Sequence, residues 1–136
     1  MIRLLRSTIV VLFMLSLAAC ASVPVKEIGK TTMKSGDFHE ECVSVHRGQR
    51  IIYAFDASAP VDFNIHYHAD RQIYYPVKRD NVHADSGRYE PTTNDIHCLM
   101  WTNKNLGPVS INYEYSVHDE IKPITPPPTT RPGNVY

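Results

Sequence analysis

The residues best suited to chemistry are His66 and His68, two apart and in phase with Asp62. On an extended strand, residues separated by two share a face. His66, His68 and Asp62 would then offer two imidazoles and a carboxylate to a zinc or copper ion. Two histidines alone rarely hold a metal, and the competing reading is a solvated strand face. Nucleophilic catalysis finds little support. No G-x-S-x-G elbow occurs, and Ser35, Ser58 and Ser86 fall in ordinary loop sequence. Glu40-Glu41 and Asp119-Glu120 are adjacent pairs whose side chains diverge on a strand, a poor geometry for an acid/base couple. No glycine-rich phosphate cradle is present either. The expectation is a non-enzyme with no catalytic residues and no cofactor beyond a covalent lipid.

That lipid is implied at the N-terminus. Arg3 and Arg6 precede the apolar run 9–15, which is too short to span a bilayer and reads as the h-region of a secretory signal. Leu17, Ala18, Ala19 and Cys20 follow, and this box resembles the lipobox of bacterial lipoproteins. The resemblance implies cleavage before Cys20 and acylation of its sulfur. Two or three acyl chains make an anchor persistent where one is marginal. The same resemblance implies, from Ala21 in place of Asp, transfer to the outer membrane in a two-membrane cell, with the domain facing the periplasm.

Loss of Arg3 and Arg6 leaves 12 basic against 14 acidic residues, from 14 of each in the whole chain of 136. So balanced a charge excludes a nucleic-acid binder, which needs a basic excess, and a polybasic membrane-surface binder. Of three cysteines, lipidation consumes Cys20. Cys42 and Cys98 remain as an even pair in an oxidising compartment, and a disulfide between them is the economical reading. The rival is a Cys/His metal site, since His39 and His97 lie near the two cysteines in sequence. No CxxC spacing supports it.

These residues need elements to position them. Val61, Phe63, Ile65 and Tyr67 alternate with Asp62, Asn64, His66 and His68, giving a strand with one apolar and one wet face. Val109, Ile111, Tyr113, Tyr115 and Val117 alternate as clearly with polar residues. Residues 51–55 are apolar on both faces, as a central strand would be. Further strands are expected over 38–46, 72–78 and 95–103, with a short one over 87–91. Turn residues separate them at 47–48, 57–60, 69–71 and 103–108. Residues 79–87 read as the longest internal loop. No ten-residue stretch carries a helical stripe. About seven strands with short connections predict an all-β fold, an antiparallel β-sandwich.

The pattern is also similar to a known family. Glu41-Cys42, the Gly48 turn, Val61-Asp62-Phe63-x-Ile65, Gly87-x-Tyr89, Cys98, Trp101-x-Asn103 and Val109-x-Ile111-x-Tyr113-x-Tyr115 together resemble the GOLD (Golgi dynamics) domain over roughly residues 36–118. The resemblance implies a compact β-sandwich bridged by its two cysteines, and a general role in binding protein or ligand. The coiled coil, transmembrane helix and coat-binding tail of the family's cargo adaptors have no counterpart here.

The expected organisation is a lipoprotein signal peptide over 1–19, a lipidated N-terminus and tether over 20–35 whose end could form a short strand, a GOLD-like β-sandwich over 36–119 and a proline-rich tail over 120–136. That tail holds five of the ten prolines and favours extended polyproline II. Most of the eight tyrosines occupy apolar-phase strand positions and are expected in the core, with one ring of Tyr74-Tyr75 exposed. The functional expectation is a lipid-anchored, non-enzymatic module of the cell envelope that binds or scaffolds an envelope protein. The alternative is a periplasmic metal or small-ligand binder using the His66/His68 face.

Overall fold

The computed structural model describes residues 25–119. The expected signal peptide, Leu17, Ala18, Ala19, the expected lipidation site Cys20 and the proline-rich tail lie outside the described residues. The described chain is all-β and antiparallel: β1 (Val25–Met33), β2 (Phe38–Val45), β3 (Gln49–Ala69), β4 (Gln72–Tyr89), β5 (Asp95–Thr102) and β6 (Val109–Asp119).

One continuous sheet runs β1-β6-β3-β5-β2, with β4 paired to β3. Strand β3 is long enough to serve twice. Its first part, Gln49–Ala57, pairs with β6, and its second, Asp62–Tyr67, pairs with β5. The sheet therefore folds over on itself into two leaves. The first leaf carries β1, β6 and the start of β3. The second carries β2, β5 and the end of β3.

Among the described residues the strand count is six, because two pairs of expected strands merge and one strand is added at 25–33. Residues 51–55 and 61–67 become one strand, as do 72–78 and 87–91. The expected loop over 79–87 is the middle of β4. Its charged side chains hide the strand signal, while backbone pairing to β3 holds it through register shifts near Val61. Asn81 takes a φ of 56° at that irregularity. The expected tether also yields a strand. Residues 25–33 pair along the open edge of β6, from Val25↔Val117 to Met33↔Val109. Among the described side chains of this strand, Met33 joins the core, so backbone hydrogen bonds rather than apolar alternation bring it in.

Odd-numbered residues of β3, β5 and β6 point between the leaves. Ile51, Tyr53, Phe55, Val61, Phe63, Ile65, Leu99, Trp101, Val109, Ile111 and Tyr115 are all buried there. The aromatic rings cross from leaf to leaf: Phe55 meets Trp101 edge-on at 5.8 Å, and Trp101 meets Tyr113 at 4.9 Å. Such pairs add about 0.5–1.5 kcal/mol each beyond area burial.

Cys42 and Cys98 are directly opposite in the β2–β5 register and form a disulfide. Among the described residues strand β2 is an edge strand with one hydrogen-bonded neighbour, so the bridge fastens it at its middle. The β3–β4 hairpin turns through Asp70 (φ 51°) and Arg71 (φ 62°). Two successive positive φ values define the type I′ turn that matches the twist of a hairpin.

Gly29 is opposite Tyr113, whose ring lies across it. A methyl group there would overlap the ring. Gly29→Ala is therefore expected to cost about 2 kcal/mol in urea unfolding, because the hydroxyl end of the ring that the methyl would meet is held in place by its bond to Glu41.

Candidate functional site

The even-numbered residues of the second leaf form its outer face. Phe38, Glu40 and Cys42 come from β2, Ile96, Cys98 and Met100 from β5, and Asp62, Asn64, His66 and His68 from β3. Tyr75 and Ile73 of β4 complete it. In the β3–β4 pairing Ile65 meets Val77 and Tyr67 meets Tyr74, leaving Tyr75 and Pro76 both opposite His66. A proline, which has no N–H to give the ladder, is accommodated at such a bulge. The bulge also aims the Tyr75 ring at His66, 5.6 Å away.

This face departs from the wet surface that alternation implies. His66 is only 4% exposed and Asn64 8%. His66 Nδ1 donates to Asn64 Oδ1 at 2.8 Å, and His66 Nε2 lies 3.2 Å from Glu40 Oε1. Burial pushes the imidazole pKa down. The Glu40 charge pulls it up, and neighbouring His68 lowers it again. Around this polar centre, Phe38 (64%), Ile73 (47%), Tyr75 (51%) and Ile96 (61%) are apolar and exposed. Both rings of Tyr74-Tyr75 reach solvent, and Tyr74 stacks on Tyr67 at 5.1 Å.

The expected trio of His66, His68 and Asp62 shares the face but does not converge. Asp62 pairs instead with Lys104 and accepts from the backbone N–H of Asn81 at 2.9 Å. Burial raises its carboxyl pKa, and these partners more than offset that, leaving it below the usual value. Among the described residues, the one group of three or more His, Cys, Asp or Glu ligand atoms gathered within 4.8 Å is Glu40, Cys42 and Cys98.

The two glutamates at 40 and 41 do diverge. Glu40 faces outward to His66. Glu41 faces between the leaves and accepts from the Tyr113 hydroxyl at 2.6 Å. His39 Nε2 lies 3.0 Å from that hydroxyl and 3.1 Å from Glu41 Oε1. Burial first, and the bond to Glu41 second, raise the Tyr113 pKa well above the ordinary phenol value. The hydroxyl thus keeps its proton and acts as a tie between leaves. Sequence reading missed this cluster, because Glu41 and Tyr113 are 72 positions apart and meet only once the sheet has folded over.

His97 faces inward, away from His66. It is fully buried between Tyr67 (5.0 Å) and Tyr89 (5.4 Å). Its Nε2 has no hydrogen-bond partner among the described residues. Burial lowers its pKa, against an opposing pull from Asp95. His66 and His97 are both depressed below their ordinary 6.5. The unfolded chain therefore binds protons first, and the stability present above that pH is lost as pH falls below it. The urea midpoint is expected to drop as pH goes from about 7 to about 5. In a His97→Gln variant that slope should be shallower. An unchanged slope would show that His97 does not titrate as described.

Fold and site together define an all-β module that presents one partly apolar outer face and ties its leaves together with an inward polar cluster. No protein-family model matches the sequence, and no curated protein does. Among solved structures the chain is similar to PliG of Aeromonas hydrophila, a periplasmic inhibitor of g-type lysozyme. The TM-score is 0.55 at 11% identity, over 68% of this chain and 86% of that one. A de novo designed double-stranded β-helix also aligns, with a TM-score of 0.40 at 17% identity, over 65% of this chain and 97% of that one. The likeness to PliG is one of fold.

Proposed function

We propose that the protein is a lipid-anchored, non-enzymatic module of the cell envelope that binds a protein partner through the outer face of its second leaf. The observation that carries this is the set of exposed apolar side chains, Phe38, Ile73, Tyr75 and Ile96, displayed on a sheet whose edge strand is fixed by a disulfide. Exposed aromatic anchors on a rigid support are the usual source of binding energy at protein interfaces. The GOLD-like pattern over 36–118 supports a binding rather than a catalytic role. The lipobox at Leu17, Ala18, Ala19 and Cys20 supports the anchor, and Ala21 supports an outer-membrane location facing the periplasm. The inhibitor role in the name of the fold neighbour supports a protein as partner, and makes a g-type lysozyme the first one to try.

The test compares capture of cross-linked envelope partners, and direct titration with g-type lysozyme, between the wild type and a Phe38→Ser/Tyr75→Ser variant. Ile28→Ser, at an exposed site on the other leaf, is the control. The proposal expects binding to be lost in the double variant and kept in the control. Equal binding by all three would remove it. Incorporation of a labelled fatty acid, abolished by Cys20→Ser, tests the anchor separately.

A further inference from the structure

At the centre of the outer face the sulfurs of Cys42 and Cys98 and a carboxylate oxygen of Glu40 lie within 4.8 Å of one another. His66 Nε2 is 3.2 Å from Glu40 Oε1. The four side chains come from three adjacent strands. Cys42 pairs with Cys98, Cys98 pairs with His66, and Glu40 is two residues from Cys42 on the same side. Two sulfurs, an imidazole and a carboxylate form a donor set suited to a tetrahedral zinc-type ion. Only the S–S bond withholds two of them.

We infer that the reduced chain binds one thiophilic divalent cation through Cys42 Sγ, Cys98 Sγ, His66 Nε2 and a Glu40 oxygen. A dithiol reductant supplies two electrons and two protons to the disulfide and leaves as a disulfide itself. Each cysteine thiol then releases its proton to water as its sulfur bonds the metal. Two thiolates and one carboxylate against the dication leave the site with a single negative charge. The sulfurs must separate to admit an ion at about 2.3 Å from each. Side-chain rotation supplies that movement, and the β2–β5 backbone ladder keeps both cysteines opposite each other.

His66 is already oriented for this role. Its Nδ1–H donates to Asn64 Oδ1 at 2.8 Å, which fixes the tautomer and turns the Nε2 lone pair toward Glu40. Metal-binding histidines are commonly held in this way by an acceptor on the second nitrogen. In the neutral ring that lone pair faces a carboxylate oxygen, and a cation between them converts the contact to attraction. His39 faces the interior with Glu41 and Tyr113, and His97 faces the core, so neither reaches the sulfurs from this side.

The test is a titration of the untagged full chain with cobalt(II), before and after reduction by a phosphine under anaerobic conditions, with circular dichroism recorded throughout. The reduced chain is expected to develop thiolate-to-cobalt charge transfer and the intense visible bands of a tetrahedral ion. Saturation should come at one equivalent, with displacement by zinc. The oxidised chain should show neither band. His66→Gln is expected to weaken affinity at least tenfold and Asn64→Leu about tenfold, with His68→Gln unchanged. A folded, reduced chain without tetrahedral bands, or equal affinity in the His66 variant, would overturn the inference. If reduction unfolds the chain, zinc must restore the β signal, and failure to do so overturns it equally. The readout does not involve the partner-binding proposal, which stands or falls by its own experiment.

Discussion

Replacing both bridging cysteines, Cys42→Ser with Cys98→Ser, is expected to cost about 4 kcal/mol of stability. The bridge spans 56 positions, and in the chain-entropy model a closed loop of that length removes about 4 kcal/mol worth of freedom from the unfolded chain. The native side reinforces the effect. Among the described residues strand β2 has β5 as its one hydrogen-bonded neighbour, and Cys42 sits at the middle of its pairing from Phe38 to Val45. Without the bridge, Phe38–Val45 is held by its ladder, by Val45 in the core and by the Glu41–Tyr113 tie. For a domain of this size the loss corresponds to a melting temperature lower by roughly 20 °C. Calorimetry of the wild type and the double variant checks it. A fall of under about 5 °C would mean that the bridge constrains little, contrary to the chain-entropy model.

Asn103→Ala is expected to cost about 3 kcal/mol, because one amide serves three backbone carbonyls in two separate segments. Asn103 is fully buried. Its Nδ2 donates to the carbonyls of Met33 (3.1 Å), Lys34 (3.0 Å) and Gly107 (2.9 Å). Its Oδ1 accepts from the Asn105 backbone N–H at 2.8 Å and the Asn105 amide at 2.9 Å. Its own backbone closes the β1–β2 turn, accepting from Gly36 N and donating to Asp37 O, both at 2.9 Å. Alanine would leave buried carbonyls without donors, at about 1–3 kcal/mol for each group stranded. Asn103→Asp separates this account from a simple volume effect. A carboxylate aimed at three carbonyls repels them, so at neutral pH it should be at least as damaging as alanine. Protonation restores a donor, so this variant should regain stability relative to wild type as pH falls through its carboxyl titration. Urea midpoints measured against pH decide it, and parallel behaviour of the two variants would count against the hydrogen-bond account.

The all-β antiparallel class was legible because alternation is strong where one face meets the core. Val61 to Tyr67 and Val109 to Val117 show that period without interruption, and both runs lie within strands. The same logic failed for β1 and the middle of β4. Lys26, Lys30, Lys78, Arg79 and Asp80 are exposed strand residues, placed there by backbone pairing that side-chain pattern does not encode. Turn chemistry at 69–71 was readable as a turn, although its positive φ values at Asp70 and Arg71 involve no glycine.

The site was legible only in part. Period-two spacing put His66 and His68 on one face, as found. It could not show that Asn64 and His66 would be covered, since Tyr75, Glu40 and the disulfide reach them from three other strands. Asp62 was drawn elsewhere by Lys104, from the β5–β6 connection. Cysteine parity identified the Cys42–Cys98 pair. It carried no hint that Glu40 and His66 would flank it, because that depends on the order in which β2, β5 and β3 lie side by side.

The central claim is that the outer face of the second leaf engages a protein in the envelope. Site-specific photo-cross-linking in living cells tests it most directly, with the photoreactive residue placed at Tyr75 in one strain and at Ile28, on the opposite leaf, in another. The account predicts a discrete cross-linked protein from position 75 and none from position 28. No adduct at 75, or the same adduct from both positions, would contradict it.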